Sequence, residues 1–403
     1  MGGPKNVLVN LTLDQALELA EQLQPILAEA RALVSAAEGR GQQAGLFPNP
    51  EVVARMESAP IQNRTLERAE YPLGLSQTIP LAGRLSKAKQ VEQLERERLI
   101  HQAEAKRREI RKQVQSAFAS SLYLDLADRI QRDLVASAEK LAGLSRARVA
   151  AGDALPEDLA RAEMELARAK IELQRTGSFR QQGLAALAAA IGDASLGIAA
   201  LQGSLEAAFE LPVLESVAGD LERHPSVAAS NADIAVRAAR VDLAKAERIP
   251  NLNVDLFYRR LEAERADSFD IGFRVPLPLF DRGQGRLRSA RAELEAAEAR
   301  ARSTRSDLSA DFREARAALT SALAQARALK TEILPRAETL LRTAETRHGA
   351  GDLSLAGVLV ARRDWANVRF SYLESLRDAM LAWANLNPFL LSTPHASRVP
   401  SRP

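Results

Sequence analysis

Two long stretches of the chain carry apolar residues at spacings of three and four, which is the pattern of an amphipathic helix. They span about 83–148 and about 285–347, and Pro335 predicts a kink in the second because proline cannot close the helical hydrogen bond. At about 1.5 Å per residue the first stretch makes roughly 95 Å of helix. Globular helices average about 11–12 residues, so these lengths predict a mainly α-helical protein of the coiled-coil or tubular type.

Each long helix is predicted to end in a Gly-Asp turn and to return as a second helix. The first turn, at 152–153, leads into a helix from 157 to about 174, and the second, at 351–352, into a helix from 355 to about 385. Glycine suits the residue that follows a helix, and Asp or Ser suits the N-cap of the returning one. The pattern predicts two αα-hairpins in which N-capping is the simplest role for Asp153 and Asp352.

The short segments between the helices alternate apolar and polar residues, which indicates β-strands. Two strands are predicted in each half, at about 51–57 and 71–79 and at about 252–258 and 268–277, with loops at 59–69 and 262–267. Phe257 falls imperfectly in the polar set. The predicted apolar face carries Leu73, Leu75, Leu252, Val254, Leu256, Tyr258, Phe269, Ile271, Phe273 and Val275.

Four strands are too few to close a barrel, and an open sheet with an apolar outer face has edges that pair with another chain. Three copies would supply about twelve strands, with the apolar residues toward lipid and Asn, Asp, Arg and Ser toward a wet lumen. The alternative is a small sheet that the chain's own helices cover. The position of each strand pair beside the end of a very long helix favours the barrel.

The order of these features recurs after about 200 residues. The matching segments are Pro48-Asn49-Pro50 with Pro250-Asn251-Leu252, and Gly83-Arg84-Leu85 with Gly285-Arg286-Leu287. A duplicated half-unit is the simplest interpretation. It predicts one domain over 1–390 with repeats at about 11–192 and 216–390, a connecting segment at 193–215, and a disordered tail at 391–403.

The composition excludes several classes of protein. The 403 residues include no Cys, which excludes a disulfide scaffold, a thiolate metal site and a cysteine nucleophile. A net charge of +3 is near balance and predicts no nucleic-acid partner. No apolar run approaches the roughly 20 residues of a spanning helix. The first residues show no signal-peptide pattern, so the protein is either cytosolic or has lost its signal.

Candidate chemistry is sparse. The four histidines have no partner at metal-ligand spacing, and His348, beside the second turn, is the one worth testing. No phosphate-binding glycine loop and no nucleophile motif is present. The sequence therefore predicts no catalytic residue, no cofactor and no resident metal.

Several features of the sequence are together typical of one known family. They are the duplicated order, the segment Leu-Thr-Leu-Asp-Gln-Ala-Leu-Glu-Leu-Ala at 11–20, Pro-Asn-Pro at 48–50, Leu-Ser-Gln-Thr-Ile-Pro-Leu-Ala-Gly-Arg at 75–84 and the two Gly-Asp turns. In these features the sequence resembles the outer-membrane efflux protein (TolC-like) family. The resemblance covers about 11–390, and the segments at 48–50 and 76–81 resemble the heavy-metal efflux branch. It implies a homotrimer with a twelve-stranded barrel in outer-membrane lipid and an α-helical barrel across the periplasm. Such a protein is a passive exit duct, docked to a periplasmic adaptor protein and energised by an inner-membrane transporter, and it is not an enzyme.

The resemblance also implies where the gate and the adaptor-docking tips lie. The family has them at the periplasmic helical turns, which match 148–158 and 348–360 here, and Asp158 matches a pore-facing Asp of the family. In the second turn, the positions where a family member has an Arg and acidic residues are occupied by Leu353, Gly357 and Val360. An acidic ring would therefore have to come from Asp153, Glu157, Asp158 or Asp352. The candidate residues are Gly152, Asp153, Glu157, Asp158, His348, Gly351 and Asp352.

Two other functions remain open on the sequence alone. A soluble coiled-coil scaffold would use the same long helices without membrane contact, but it does not explain duplicated strand pairs with apolar faces. A periplasmic adaptor would carry one hairpin beside a lipoyl-like β domain rich in Gly and Val, which this sequence lacks.

Overall fold

The computed structural model describes residues 7–8, 10–57, 69–210, 221–261 and 264–389. The predicted tail at 391–403 and nearly all of the predicted loop at 59–69 lie outside these ranges. The elements, in chain order, are β1 (Val7–Leu8), α1 (Leu13–Leu23), α2 (Pro25–Ala44), β2 (Glu51–Ala54), β3 (Glu70–Ile79), α3 (Arg84–Ala150), α4 (Pro156–Ile191), β4 (Gly197–Ile198), α5 (Pro225–Ala246), β5 (Leu252–Leu261), β6 (Ala266–Arg274), α6 (Gln284–Ala328), α7 (Leu334–Gly349) and α8 (Leu355–Leu386). Of the helices in the described ranges, none is both long and apolar enough to cross a membrane.

The chain divides into two compact units, and the long helices α3 and α6 contribute residues to both. One unit contains residues 1–28, 105–224 and 306–403, and the other contains 29–104 and 225–305. The predicted long helices are confirmed: α3 has 67 residues, which corresponds to about 100 Å of helix.

The first unit is built on seams of leucine and alanine between helices. Its core brings together Leu17 of α1, Val114 of α3, Leu187 of α4 and Leu376 of α8, all buried. Small alanines such as Ala379 let the helix backbones approach closely while the leucines fill the space between them. The fold of this unit therefore depends on long packed helix faces.

Helix α4 is longer than the sequence predicts, since it runs to Ile191 and not to about 174. Residues of low helix propensity, including Gly177 and Gly183, favour an earlier end. Packing overrides that preference, because the Ser121 hydroxyl of α3 donates to the Gly183 carbonyl at 2.9 Å and Leu187 and Ile191 of α4 are fully buried in the core.

A π turn over Leu329–Ile333 separates α6 from α7. Pro335 has no N–H to donate to the carbonyl four residues earlier, so the hydrogen-bond ladder changes register just before it, and the Leu334 N–H bonds to the Leu329 carbonyl. The interruption predicted at Pro335 is therefore present, as a wide turn. Glu206 lies beside this turn, where it accepts from the Tyr372 hydroxyl at 2.7 Å and from the Lys330 ammonium at 3.0 Å, and these bonds lower the pKa of its carboxyl.

The second unit carries a four-stranded antiparallel sheet in the order β2-β3-β5-β6. Both predicted hairpin pairings are present, and a central pairing of β3 with β5, from Glu70 opposite Leu261 to Ile79 opposite Leu252, joins the two halves of the chain. Strand β6 ends at Arg274 and not near 277, because Pro276 and Pro278 have no N–H to give to a ladder.

Candidate functional site

One face of the sheet is apolar, and within the described residues it is left uncovered. Nine of the ten predicted residues lie on it, on strands β3, β5 and β6, whereas Val275 lies just beyond the end of β6. Phe269, Ile271 and Phe273 are 76%, 67% and 71% exposed, and the rings of Tyr258 and Phe269 pack across the strands with centroids 5.6 Å apart. The alternative of a sheet covered by the chain's own helices is therefore wrong for the described residues.

The opposite face is polar and cross-linked by charge. Asp255 of β5 accepts from the Ser76 hydroxyl of β3 at 2.5 Å and from the Arg274 guanidinium of β6 at 2.8 Å. Arg259 of β5 forms ion pairs with Asp270 of β6, at 2.8 Å, and with Glu70 of β3. Because these bonds join neighbouring strands, they hold the register that keeps the apolar residues together on the other face.

Phe257 is the aromatic exception on the polar face. It lies directly opposite Gly74, where an added Cβ would be 2.2 Å from the Leu256 carbonyl oxygen and 2.5 Å from the Phe257 Cδ1 atom. The Arg55 guanidinium stacks on the same ring, 5.6 Å from its centroid. Gly74 is thus required by close packing, a role that the alternation pattern does not reveal.

The two Gly-Asp turns have the same backbone geometry. Gly152 and Gly351 are left-handed, with φ of +76° and +87°. In the first turn the Gly152 N–H donates to the Val149 carbonyl and the Asp153 N–H donates to the Arg148 carbonyl; the second turn repeats this pattern at Gly351 and Asp352. This is the Schellman arrangement, which satisfies the last carbonyls of α3 and α7.

The predicted N-capping by aspartate is wrong in both turns. The N-cap of α4 is Leu155, which makes no side-chain cap bond, and the N-cap of α8 is Ser354, whose hydroxyl accepts from the Gly357 N–H. Asp153 and Asp352 lie two residues too early to cap, because Pro156 and Leu355 begin the returning helices. Their backbone N–H groups instead complete the preceding helix ends.

The acidic side chains of the turns are available for other contacts. Asp153, Glu157 and Asp352 are exposed and Asp158 is partly exposed. Within the part of the chain that the structure describes, none of these four carboxylates forms a side-chain hydrogen bond or an ion pair. Glu157 and Asp158 lie in the first turn of α4, where negative charge is favourable to the helix dipole.

The structure brings the two hairpins together near these turns. Leu141 and Ala142 of α3, Ala162 of α4 and Leu355 and Leu359 of α8 form one buried cluster. Ion pairs reinforce it: Arg363 of α8 with Glu165 of α4, Arg362 of α8 with Glu345 of α7, and Arg146 of α3 with Glu163 of α4. The bond to Glu165 raises the pKa of Arg363. Sequence reasoning missed these pairs, since only the three-dimensional hairpin packing reveals the partner helices.

The three histidines that the structure describes, His101, His224 and His348, do not form a metal site. In the ranges described, no group of three or more His, Asp or Glu side chains could hold a metal ion. His348 has its Nδ1 atom 2.8 Å from the Leu353 carbonyl oxygen, and its part in a gate stays a prediction. His101 is exposed, His224 is buried, and His395 lies outside the described residues.

Comparison with known proteins identifies the family. The model of the family "Outer membrane efflux protein" matches residues 16–193 and 220–390. The cobalt-zinc-cadmium resistance protein CzcC of Cupriavidus metallidurans is 31% identical over 389 residues, which cover 96% of this chain and 91% of CzcC.

Two solved structures show the same fold. A membrane protein from Pseudomonas aeruginosa has a TM-score of 0.81 at 20% identity, covering 94% of this chain and 92% of its own. CusC has a TM-score of 0.80 at 15% identity, covering 96% and 94%. The predicted resemblance and the mainly α-helical fold with a small sheet are confirmed. The chain belongs to the outer membrane efflux protein family, whose members are outer-membrane channels and not enzymes.

Proposed function

We propose that the protein is the outer-membrane exit duct of a tripartite efflux system, working as a homotrimer. In this role it passively conducts substrate from a periplasmic adaptor protein and an inner-membrane transporter to the exterior, with most of the chain in the periplasm. The observation that carries the proposal is the uncovered apolar face of the four-stranded sheet, in a chain of this family.

The sheet supports the trimer through its edges. Within the described residues β2 and β6 each pair on one side only, which leaves two unpaired edges with donors and acceptors for neighbouring copies. Three sheets joined edge to edge make a closed barrel of about twelve strands, in which the apolar face meets lipid and the polar face, with Asp255, Arg259 and Arg274, lines water.

The two turns are proposed as the periplasmic tips that gate the duct and dock the adaptor. The support is their paired geometry and their unpartnered carboxylates on Asp153, Glu157, Asp158 and Asp352. Threefold repetition would place these carboxylates in rings. Gly152, Gly351 and His348 belong to the same turns. We further propose that the chain is a duplicated unit, with repeats at about 11–192 and 216–390.

The cargo is proposed from the relative CzcC, whose name specifies cobalt, zinc and cadmium. Divalent cations would be favoured by rings of exposed carboxylate, because opposite charge raises their local concentration at a pore entrance.

The test begins with extraction of the full chain and determination of its mass. A detergent-dependent particle of three chains that conducts ions in a planar bilayer is the expected result. A detergent-free monomer or dimer would contradict the proposal and favour a soluble scaffold.

A matched pair of variants tests which face meets lipid. Phe269→Asp places a charge on the apolar face and is expected to abolish trimer recovery from membranes, whereas the neighbouring Ser268→Asp, on the polar face opposite Arg259, is expected to preserve it. Equal recovery of the two variants would exclude the proposed orientation of the sheet.

A further inference from the structure

An arginine-rich cavity lies at the start of α6, in the second unit. Its volume is about 490 Å³. The polar residues and the leucine that line it are Arg248, Gln284, Leu287, Arg288, Arg291 and Glu295. Three guanidinium groups and one carboxylate give the cavity a net positive charge.

Two of these arginines have unused hydrogen-bonding capacity. Arg288 and Arg291 are exposed, and among the described residues neither side chain forms a hydrogen bond or an ion pair. Arg248 uses its Nε atom to donate to the Arg282 carbonyl at 3.0 Å. By contrast, Arg286 on the same helix lies 3.5 Å from Asp281 and 3.9 Å from Glu247. Glu295 offsets only one of the three positive charges, so the cavity keeps a net positive charge that is suited to an anion.

An exposed apolar segment leads directly into this helix. After β6 ends at Arg274, the chain passes through Leu277, Leu279 and Phe280, which are 77%, 65% and 91% exposed. Phe280 lies four residues before the start of α6. The segment connects β6, which carries part of the apolar face, to α6, which carries Arg288 and Arg291. Apolar and aromatic side chains next to basic ones in the chain are typical of a membrane–water boundary.

We infer that this cavity binds one anionic phospholipid per chain. The guanidinium groups of Arg288 and Arg291, with Arg248, hold the phosphate through charge-assisted hydrogen bonds, for which the planar guanidinium is well matched. The acyl chains lie against Leu277, Leu279 and Phe280. The inference rests on the proposed lipid contact of the sheet's apolar face, which sets the junction of β6 and α6 at the membrane surface.

Native mass spectrometry of the full chain in mild detergent tests the site. Phosphatidylglycerol is titrated against zwitterionic phosphatidylcholine of the same acyl length. We expect one phosphatidylglycerol per chain, bound about tenfold more tightly than phosphatidylcholine, and about tenfold weaker binding in the double variant Arg288→Gln/Arg291→Gln.

The double variant Arg302→Gln/Arg316→Gln is the matched control, since it removes two exposed charges further along the same helix. It is expected to bind phosphatidylglycerol as the parent does. Equal affinity for the two lipids, equal losses in the two double variants, or displacement of phosphatidylglycerol by equimolar inorganic phosphate would overturn the lipid site.

Bilayer conductance of the same samples separates this inference from the proposed function. A conducting trimer without lipid preference contradicts the lipid site alone. A protein that does not conduct contradicts the duct.

Discussion

At the scale of single residues, Gly74 of β3 is a position that has no space for a side chain. The neighbouring strand approaches so closely that a Cβ would overlap both backbone and aromatic ring. Gly272, on the same sheet, has ordinary space, because an added Cβ would be 3.6 Å from the Asp255 Cβ atom. Two glycines that look alike in the sequence therefore differ in whether a larger residue can replace them.

This difference predicts unequal effects of alanine. Gly74→Ala is expected to lower the yield of assembled, detergent-extracted protein because β3 and β5 must separate, at a cost of about 1–3 kcal/mol. Gly272→Ala is expected to leave the yield unchanged. Heat-modifiable mobility on denaturing gels measures both, and similar behaviour of the two variants would show that the close approach at Gly74 is unimportant.

His224 is a buried residue whose charge state links stability to pH. Its ring lies 5.3 Å from that of Phe389, and burial, together with the charge of Arg108, lowers its pKa from 6.5 to about 4. The unfolded chain takes up this proton near pH 6.5 and the folded chain only near pH 4. Stability is therefore complete above pH 6.5 and is lost as the pH falls from 6.5 toward 4.

The expected loss is about 1.5 kcal/mol of unfolding free energy per chain between pH 6.5 and 5. His224→Phe cannot take up the proton and should lose less stability over this interval. Thermal unfolding at the two pH values measures the difference. An identical pH dependence in parent and variant would assign the acid sensitivity to other groups.

Residue roles could be predicted from the sequence where they depend only on local backbone. The left-handed Gly152 and Gly351 are of this kind. The N-capping predicted for Asp153 and Asp352 is wrong, because the returning helices have their N-caps two residues later than these aspartates. The ion pair of Arg363 with Glu165 depends on the packing of separate hairpins, which no local pattern encodes.

At the scale of elements, the left-handed backbone at Gly351 predicts that the turn between α7 and α8 tolerates only glycine without a loss of stability. Gly351→Ala forces an L-residue into the left-handed region, at a cost of about 1–2 kcal/mol. Gly349→Ala lies at the end of α7 with open space around it and should be neutral or stabilising by about 0.5–1 kcal/mol. Denaturant unfolding of the two variants provides the measurement. A Gly351→Ala protein as stable as Gly349→Ala would contradict the strained turn.

The long helices were predictable because periodicity persists over tens of residues and outweighs local exceptions. The ends of the helices and strands and the pairing of the strands were less predictable. Helix α4 passes through two glycines because α3 supports it, and β6 stops at prolines that the alternation of apolar residues obscures. The pairing of β3 with β5 joins separate halves of the chain, so no turn residue between adjacent strands predicts it.

At the scale of the whole molecule, the proposal that the two Gly-Asp turns are acidic tips of a duct predicts that the duct prefers cations. Glu157→Gln/Asp158→Asn removes two charges from the first turn of α4 and should reduce the cation preference of the duct. Glu139→Gln/Glu172→Gln removes two exposed charges elsewhere on the α3–α4 hairpin and should have less effect. Reversal potentials in planar bilayers under a salt gradient compare them. Unchanged selectivity in the first variant would exclude these carboxylates from the pore.

The central pairing of the sheet has a consequence for how the protein folds. Residues that face each other on β3 and β5 are between 173 and 191 positions apart in the chain. Contacts of such separation form late, because a large loop must close before they contribute any stability. During synthesis β2 and β3 are made well before β5, so their apolar face and an open edge are exposed in the meantime. Until the second half of the chain folds against it, this early hairpin can pair with another chain through its open edge.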